Sequence, residues 1–176
     1  MADGSPEPRI DPREFRRVMG QFVTGVTVIT TIHDGKIRGM TANAFMSGSL
    51  DPPLCVVSIA KRAHMHELAR QAGRFVVNIL AHDQGDLAIH FAGRPRADAA
   101  IELSWIEGLP ALRDALAHMG AHIVAEHDCG DHTLFVGHLF HMDSAGHGRP
   151  LVYHRSRFGD LLHSRQDQLI PVPEFW

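Results

Sequence analysis

A mainly β domain with peripheral helices, built as an antiparallel barrel, is what this chain predicts, and three observations point to it. β-rich runs outnumber helical stretches, and most of them are joined by short turn signals such as Asp34-Gly35 and Gly130-Asp131. The helical stretches are too few and too unevenly placed for a regular βαβ alternation, which leaves an antiparallel barrel with a few helices packed on it as the economical solution.

Size and composition agree with that choice. A chain of 176 residues can bury one substantial core but hardly two, and 44% apolar with 21% charged residues is an ordinary globular composition. The formal charge of −3 supplies no general cationic field, so neither nucleic acid nor an anionic membrane is expected as a partner. No apolar run approaches the roughly 20 residues that span a bilayer. The opening MADGSPEPRIDP lacks the hydrophobic segment of a signal peptide, so a soluble, cytoplasmic protein is expected. Cys55 and Cys129 are far apart and show no CxxC spacing; Cys55, inside LCVVSIA, reads as a small buried hydrophobe.

The elements follow in order. Residues 1–10 carry Pro, Gly and charge without periodicity and read as a flexible arm ahead of one domain over 11–165, with a tail over 166–176. DPREFRRVMGQF offers an N-cap in Asp11, Pro12 at the first helical position, and Phe15, Val18, Met19 and Phe22 at helical spacing. Two β-rich runs then flank His33-Asp34-Gly35-Lys36, a hairpin. LCVVSIA is a third strand, KRAHMHELARQAG a short helix ending at Gly73, RFVVNIL a fourth strand, and Gln84 to Phe91 another short helix. GRPRADAA is a polar connection. AHMGAHIVAEHDC and HTLFVGHLFHMD form two long β-like runs about Gly130-Asp131, and residues 151–163 add one more strand-like segment.

Several chemistries are missing from this pattern. There is no GxGxxG after a strand, no GxxxxGK[ST] loop and no GxSxG elbow, which argues against Rossmann, P-loop and hydrolase sites. Fourteen histidines raise the question of a metal. His118 and His122, however, fall in a strand-like run, where four residues span about 13 Å, and His64 and His66 point apart at a helix start. No HExxH or completing carboxylate is present, so no metal site is expected.

Three stretches carry positive signals. GMTANAFMSGSLDPP places Thr41, Asn43, Ser47 and Ser49 in a β run, where buried hydroxyls and amides cost stability unless hydrogen-bonded. A polar planar ligand would satisfy them; cross-strand Ser and Thr pairs are the alternative. From Leu54 to Arg70 a strand ending near Ser58 passes through Lys61-Arg62 straight into a helix, bringing a cation and free backbone N–H groups together as a phosphate seat, or leaving a basic residue on an exposed connection. In HDCGDHTLFVG, His132 follows the turn, where an imidazole orients a ligand or caps the hairpin.

Taken in order, FRRVMGQFVTGVTVIT, GMTANAFMSGSLDPPLCVVSIAK, GRFVVNIL, QGDLAIHFAG, GDHTLFVGHL and PLVYHRSRFGDL resemble the short-chain flavin reductases, the reductase components of two-component flavin-dependent monooxygenases. The resemblance spans about residues 12–163 and implies an antiparallel Greek-key split β-barrel that binds FAD or FMN and takes electrons from NADH or NADPH. It implies that Thr41, Ala42 and Asn43 meet the flavin ring and ribityl chain, that Ser47 and Ser49 line the same cleft, and that Ser58, Ala60 and Lys61 approach the phosphate. Phe91 would lie near the cofactor across a homodimer, His132 by the nicotinamide, and His154, Arg155 and Phe158 near the outer part of the site. The implied activity is hydride transfer from NAD(P)H to flavin, with reduced flavin passed to a partner monooxygenase. A pyridoxamine-phosphate-oxidase-like flavoenzyme and a non-catalytic flavin- or haem-binding protein are the alternatives. Ala63 and Met65 replace the Ser or Thr common after the lysine, and Ser156 and Phe158 stand where Gly and Tyr are common, so the choice between FMN and FAD stays open.

Overall fold

The structure, a computed structural model, describes residues 10–95 and 101–161. The arm expected over residues 1–10, apart from Ile10, the tail over 166–176 and residues 96–100 of GRPRADAA lie outside the described residues.

Helix α1 (Pro12–Met19) starts where the cap signal placed it, with the Asp11 carboxylate accepting from the N–H groups of Arg13 at 2.6 Å and Glu14 at 3.2 Å. Strands β1 (Thr24–Gly25), β2 (Thr27–His33), β3 (Lys36–Ala42), β4 (Phe45–Ser49) and β5 (Leu54–Ala60) follow. Helix α2 (His64–Ala72) comes next and stops at Gly73, whose φ of 67° is the left-handed cap that a side chain would disfavour. Then come β6 (Arg74–Ile79), α3 (Gly85–Phe91), β7 (Leu103–Ile106), β8 (Leu109–Leu112), β9 (Ala117–Cys129), β10 (His132–Ser144), β11 (Leu151–His154) and β12 (Arg157–Asp160).

The main sheet has the order β3-β2-β6-β9-β10-β5-β4, with every pairing antiparallel. Its two edges, β3 and β4, are consecutive in the chain and separated only by Asn43 and Ala44. Laid flat, seven strands would put those edges on the order of 29 Å apart, whereas three Cα steps from Ala42 to Phe45 reach at most about 11 Å. The sheet must therefore curl until its edges meet at a seam without a β-ladder between them. The expected barrel is present, and Asn43-Ala44 is its seam.

The core occupies both faces of the curled sheet. Ile29, Val57, Ile59, Phe75, Val77 and Phe135 pack with Met65, Leu68 and Ala69 of α2, while Val28, Leu80, Leu112 and Leu151 form a second cluster with Ala88 of α3. Cys55 is 1% exposed, and burial pushes its thiol up to about 11, so it behaves as the small hydrophobe expected. Cys55 and Cys129 are both free. No helix of the described residues is long and apolar enough to cross a membrane.

Three features differ from the sequence expectation. The β run through Gly39–Ser49 breaks at the seam, because Asn43 and Ala44 must carry the chain from one sheet edge to the other. Of the strand-like segment expected over 151–163, the described part forms a hairpin, β11 with β12, rather than one strand, since Arg155 and Ser156 take φ of 48° and 62° and reverse the chain. The β7–β8 hairpin, turning at Glu107-Gly108, was not anticipated; Glu-Gly is a weaker turn signal than Asn-Gly or Asp-Gly.

Candidate functional site

A groove of about 860 Å³ opens at the seam. Its walls come from the seam and β4 (Asn43, Ala44, Phe45, Met46), the neighbouring strands of the same sheet (Val56 and Ser58 of β5, Leu134 of β10) and α1 with the segment after it (Phe15, Met19, Phe22, Thr24). Tyr153 and Ser156 of the small sheet β1-β11-β12 close one side. The seam has a simple physical role here: a sheet that does not close its ladder leaves a slot between its edges.

Register decides which predicted residues share that slot. Val56 and Ser58 line the groove, and alternation puts Ala60 on their face; His132 lies directly opposite Ala60, and Leu134 opposite Ser58. His132 is thus on the groove side of the sheet. Its Nδ1 lies 2.7 Å from Asp131 Oδ1, and since a carboxylate only accepts, Nδ1 carries the proton and Nε2 is the free nitrogen. The hydrogen bond from His132 holds the Asp131 carboxyl below the usual carboxylate range. Asn43 and Ser58 are both groove residues, and Ser58 N donates to Ala44 O at 3.0 Å, fixing the seam against β5.

Other predicted residues fall elsewhere. Thr41 Oγ1 donates to Ala88 O of α3 at 2.6 Å, so its hydroxyl is occupied away from the groove. Ala42 is buried, and its carbonyl accepts from Thr27 Oγ1 at 2.7 Å. Ser47 is paired with Cys55 and shares its face, not that of Val56 and Ser58, and Ser49, beyond a bulge, pairs with Leu54. Phe91 sits half-buried at the end of α3 against Gly39, where an added Cβ would come within 2.7 Å of its ring. His154, Arg155 and Phe158 line an adjoining concavity of about 630 Å³ that shares Val23 with the groove.

The phosphate seat read from Lys61-Arg62 is a β-turn closed by Ala63 N donating to Ala60 O at 2.8 Å. Lys61 N donates to Asp131 O at 2.9 Å and its Nζ pairs with Asp128 at 3.1 Å, so the ammonium already has a counter-charge, whereas Arg62 is exposed. Helix α2 starts there with Ala63 at its N-cap and no side chain capping it, which leaves its first N–H groups open. The histidines have ordinary partners: His66 Nε2 is 2.8 Å from Thr133 Oγ1 inside the core, and His118 and His141 share the carboxylate of Asp143 at 2.8 Å and 3.1 Å. Among the described residues no group of three or more His, Cys, Asp and Glu could hold a metal ion.

Sequence reasoning missed part of the groove wall. Phe15, Met19 and Phe22 read only as apolar positions at helical spacing, yet all three line the groove, and Tyr153 and Phe45 carried no signal beyond β propensity. Thr24 is a further case: its Oγ1 is buried without a partner in the groove wall, a state that only the folded structure reveals.

Comparison with known proteins gives this geometry a context. The chain is 41% identical over 164 residues to an NADH-dependent flavin reductase of a Rhodococcus species, covering 90% of this chain and 91% of that protein. It is 35% identical over 167 residues to the flavin-dependent monooxygenase reductase subunit HsaB of Rhodococcus jostii strain RHA1, covering 93% and 84%. The solved structure of flavin reductase PheA2 in its native state superposes with a TM-score of 0.83 at 42% identity, over 87% of this chain and 99% of that one. Residues 19–162 match the family described as flavin reductase like domain, and the chain belongs to that family.

Proposed function

We propose that the protein is an NAD(P)H-dependent flavin reductase that reduces FMN or FAD and releases the reduced flavin to a partner monooxygenase. The observation that carries this reading is the seam groove, which combines an apolar wall with a few small polar residues. Its volume of about 860 Å³ lies within the roughly 300–1,000 Å³ of small-molecule sites. The donor set suits a flat heterocycle edged by carbonyls and ring nitrogens: Asn43 supplies an amide, Ser58 a hydroxyl, and Thr24 a buried hydroxyl still lacking a partner.

When bound, the flavin supplies the hydride-accepting chemistry, and the chain contributes alignment, exclusion of water and donors facing developing negative charge. Phe45, Met46, Tyr153 and Leu134 provide apolar walls that hold a ring system and keep water out. Asn43 and Ser58 orient its polar edge. Ala60 and the Lys61-Arg62 turn receive its phosphate, mainly through the open backbone N–H groups of α2 and the side chain of Arg62, because Lys61 is shared with Asp128. His132, held by Asp131, presents Nε2 on the groove side to orient the nicotinamide.

A homodimer belongs to this reading, because α1 carries apolar side chains that the single chain leaves uncovered. So does action in the cytoplasm, where nicotinamide coenzymes are available.

The test is consumption of NADH by the purified protein in air with free FMN, FAD or riboflavin. No flavin-dependent oxidation would refute the proposal, as would a haem spectrum. His132→Ala is expected to lower kcat/KM for NADH by about tenfold or more while flavin affinity changes by less than about threefold. Unchanged turnover would remove His132 from this role.

A further inference from the structure

The basic face of α1 meets the groove described above only at Arg16. Arg13, Arg16 and Arg17 recur at i, i+3 and i+4, so they share one side of the helix, and Arg155 of the β11–β12 turn meets them. The four arginines line one concavity of about 490 Å³ with Gly20, Gln21 and Ser156. Of the four, Arg17 is neutralised, through bonds of 2.8 Å and 2.6 Å to Glu14. Arg155 is held by a neutral amide, its Nε donating to Gln21 Oε1 at 3.1 Å, and its backbone N donates to Gly20 O at 3.0 Å. Asp11, the other acid beside the helix, has its carboxylate on backbone N–H groups. Arg13 and Arg16 pair with no carboxylate among the described residues.

Three guanidinium groups without counter-charge around one hollow repel each other, on a chain whose formal charge is −3. Such an arrangement is favourable once a polyanion enters, and planar guanidinium forks match phosphate oxygens two at a time. The hollow is also continuous with the groove, since Arg16, Gly20 and Ser156 line both.

We propose that Arg13, Arg16 and Arg155 form a pyrophosphate-binding annex to the seam groove, taking the diphosphate of the nicotinamide coenzyme whose ring lies in the groove. The inference rests on the groove being the flavin and coenzyme site. FAD carries a diphosphate too, but one of its two phosphates is the flavin phosphate already assigned to the Lys61-Arg62 turn, so FAD serves as the control.

The full-length protein and its R13Q/R16Q variant are titrated calorimetrically with FMN and FAD, and inhibition by NAD+ and by nicotinamide mononucleotide is measured against NADH. Both side chains are exposed, so the variant is expected to fold, with an unchanged melting temperature as the check. The expected result is that inhibition by NAD+ weakens about tenfold relative to the mononucleotide, with the FAD to FMN ratio unchanged. A loss of about tenfold in FAD affinity relative to FMN would give the annex to the flavin's diphosphate and overturn the assignment to the coenzyme. The affinity lost is the part of the parental affinity that weakens with added salt. Changes below twofold in both ratios would overturn the annex. Asn43→Leu, tested alongside, separates the two levels: if it leaves FMN binding intact the groove assignment has failed, and if it abolishes binding while both ratios stay fixed the annex alone has failed.

Discussion

Asn78 is fully buried in β6, yet its amide is completely engaged. Nδ2 donates to Val28 O at 2.8 Å and to Thr30 Oγ1 at 3.0 Å, and Oδ1 accepts from Leu112 N at 2.7 Å, so one side chain ties β2 and β6 to β8. Replacing it with Leu would strand the Leu112 N–H in a dry core, at about 1–3 kcal/mol, while the Thr30 hydroxyl keeps its donation to Pro110 O. Asn78→Leu is therefore expected to cost about 2 kcal/mol in urea unfolding, and a loss under 1 kcal/mol would contradict this account. Nothing in RFVVNIL announces that role, because an Asn inside an apolar strand looks the same whether it serves a ligand or the core. The candidate site shows the same limit. Asn43 was legible as a polar residue out of place and Ser58 as a strand end leading to the phosphate seat, and both line the groove, whereas Thr41, equally out of place with Asn43, spends its hydroxyl on Ala88 of α3. Composition marks a polar residue as needing a partner; only the fold says which partner it has.

At the scale of the element, most of the fold could be read from punctuation. Asp34-Gly35 and Gly130-Asp131 turned where expected, and Gly73 ended α2. What could not be read was the change of partner at Asn43-Ala44, because the strand pattern runs on through the seam while the hydrogen bonds move to the opposite edge of the sheet. The long β9–β10 pair shows how local geometry then serves packing. Its register shifts between Val136 and Gly137, and at Gly137 an added Cβ would come 2.8 Å from Ala121 Cβ, 3.0 Å from Phe75 Cζ and 3.1 Å from Cys55 Sγ. All of those neighbours are buried, so none can swing away. Gly137→Ala should cost about 1–3 kcal/mol through overpacking, seen as a lower denaturant midpoint at constant m value. Gly35, with open space around its Cβ position, is constrained by its φ of 68° and not by its neighbours, so the two glycines are retained for different reasons.

On the scale of the whole molecule, α1 is the part that a single chain does not explain. It is an eight-residue helix with no buried residue, and Val18 is 52% exposed, Met19 54% and Phe22 71%. A helix this short is marginal in water without tertiary packing, and its apolar side forms a contiguous patch of the kind that marks an interface. The same helix supplies Phe15 and Met19 to the groove, so whatever covers its outer side also fixes one wall of the site. A second copy of the chain is the occupant proposed above. Val18 is the residue to test, because it belongs to the apolar side of α1 without lining the groove. The parental protein should sediment at twice its chain mass of 19.5 kDa and melt at a temperature that rises with protein concentration. Val18→Glu places a charge in the contact, so it should shift sedimentation toward the single-chain mass and remove that concentration dependence. Flavin affinity should fall with dissociation, although the substituted residue does not touch the groove, because α1 would lose the packing that holds Phe15 and Met19 in place. A parental protein that sediments as one chain at micromolar concentration, or a Val18→Glu variant that stays dimeric, would leave α1 without its proposed partner.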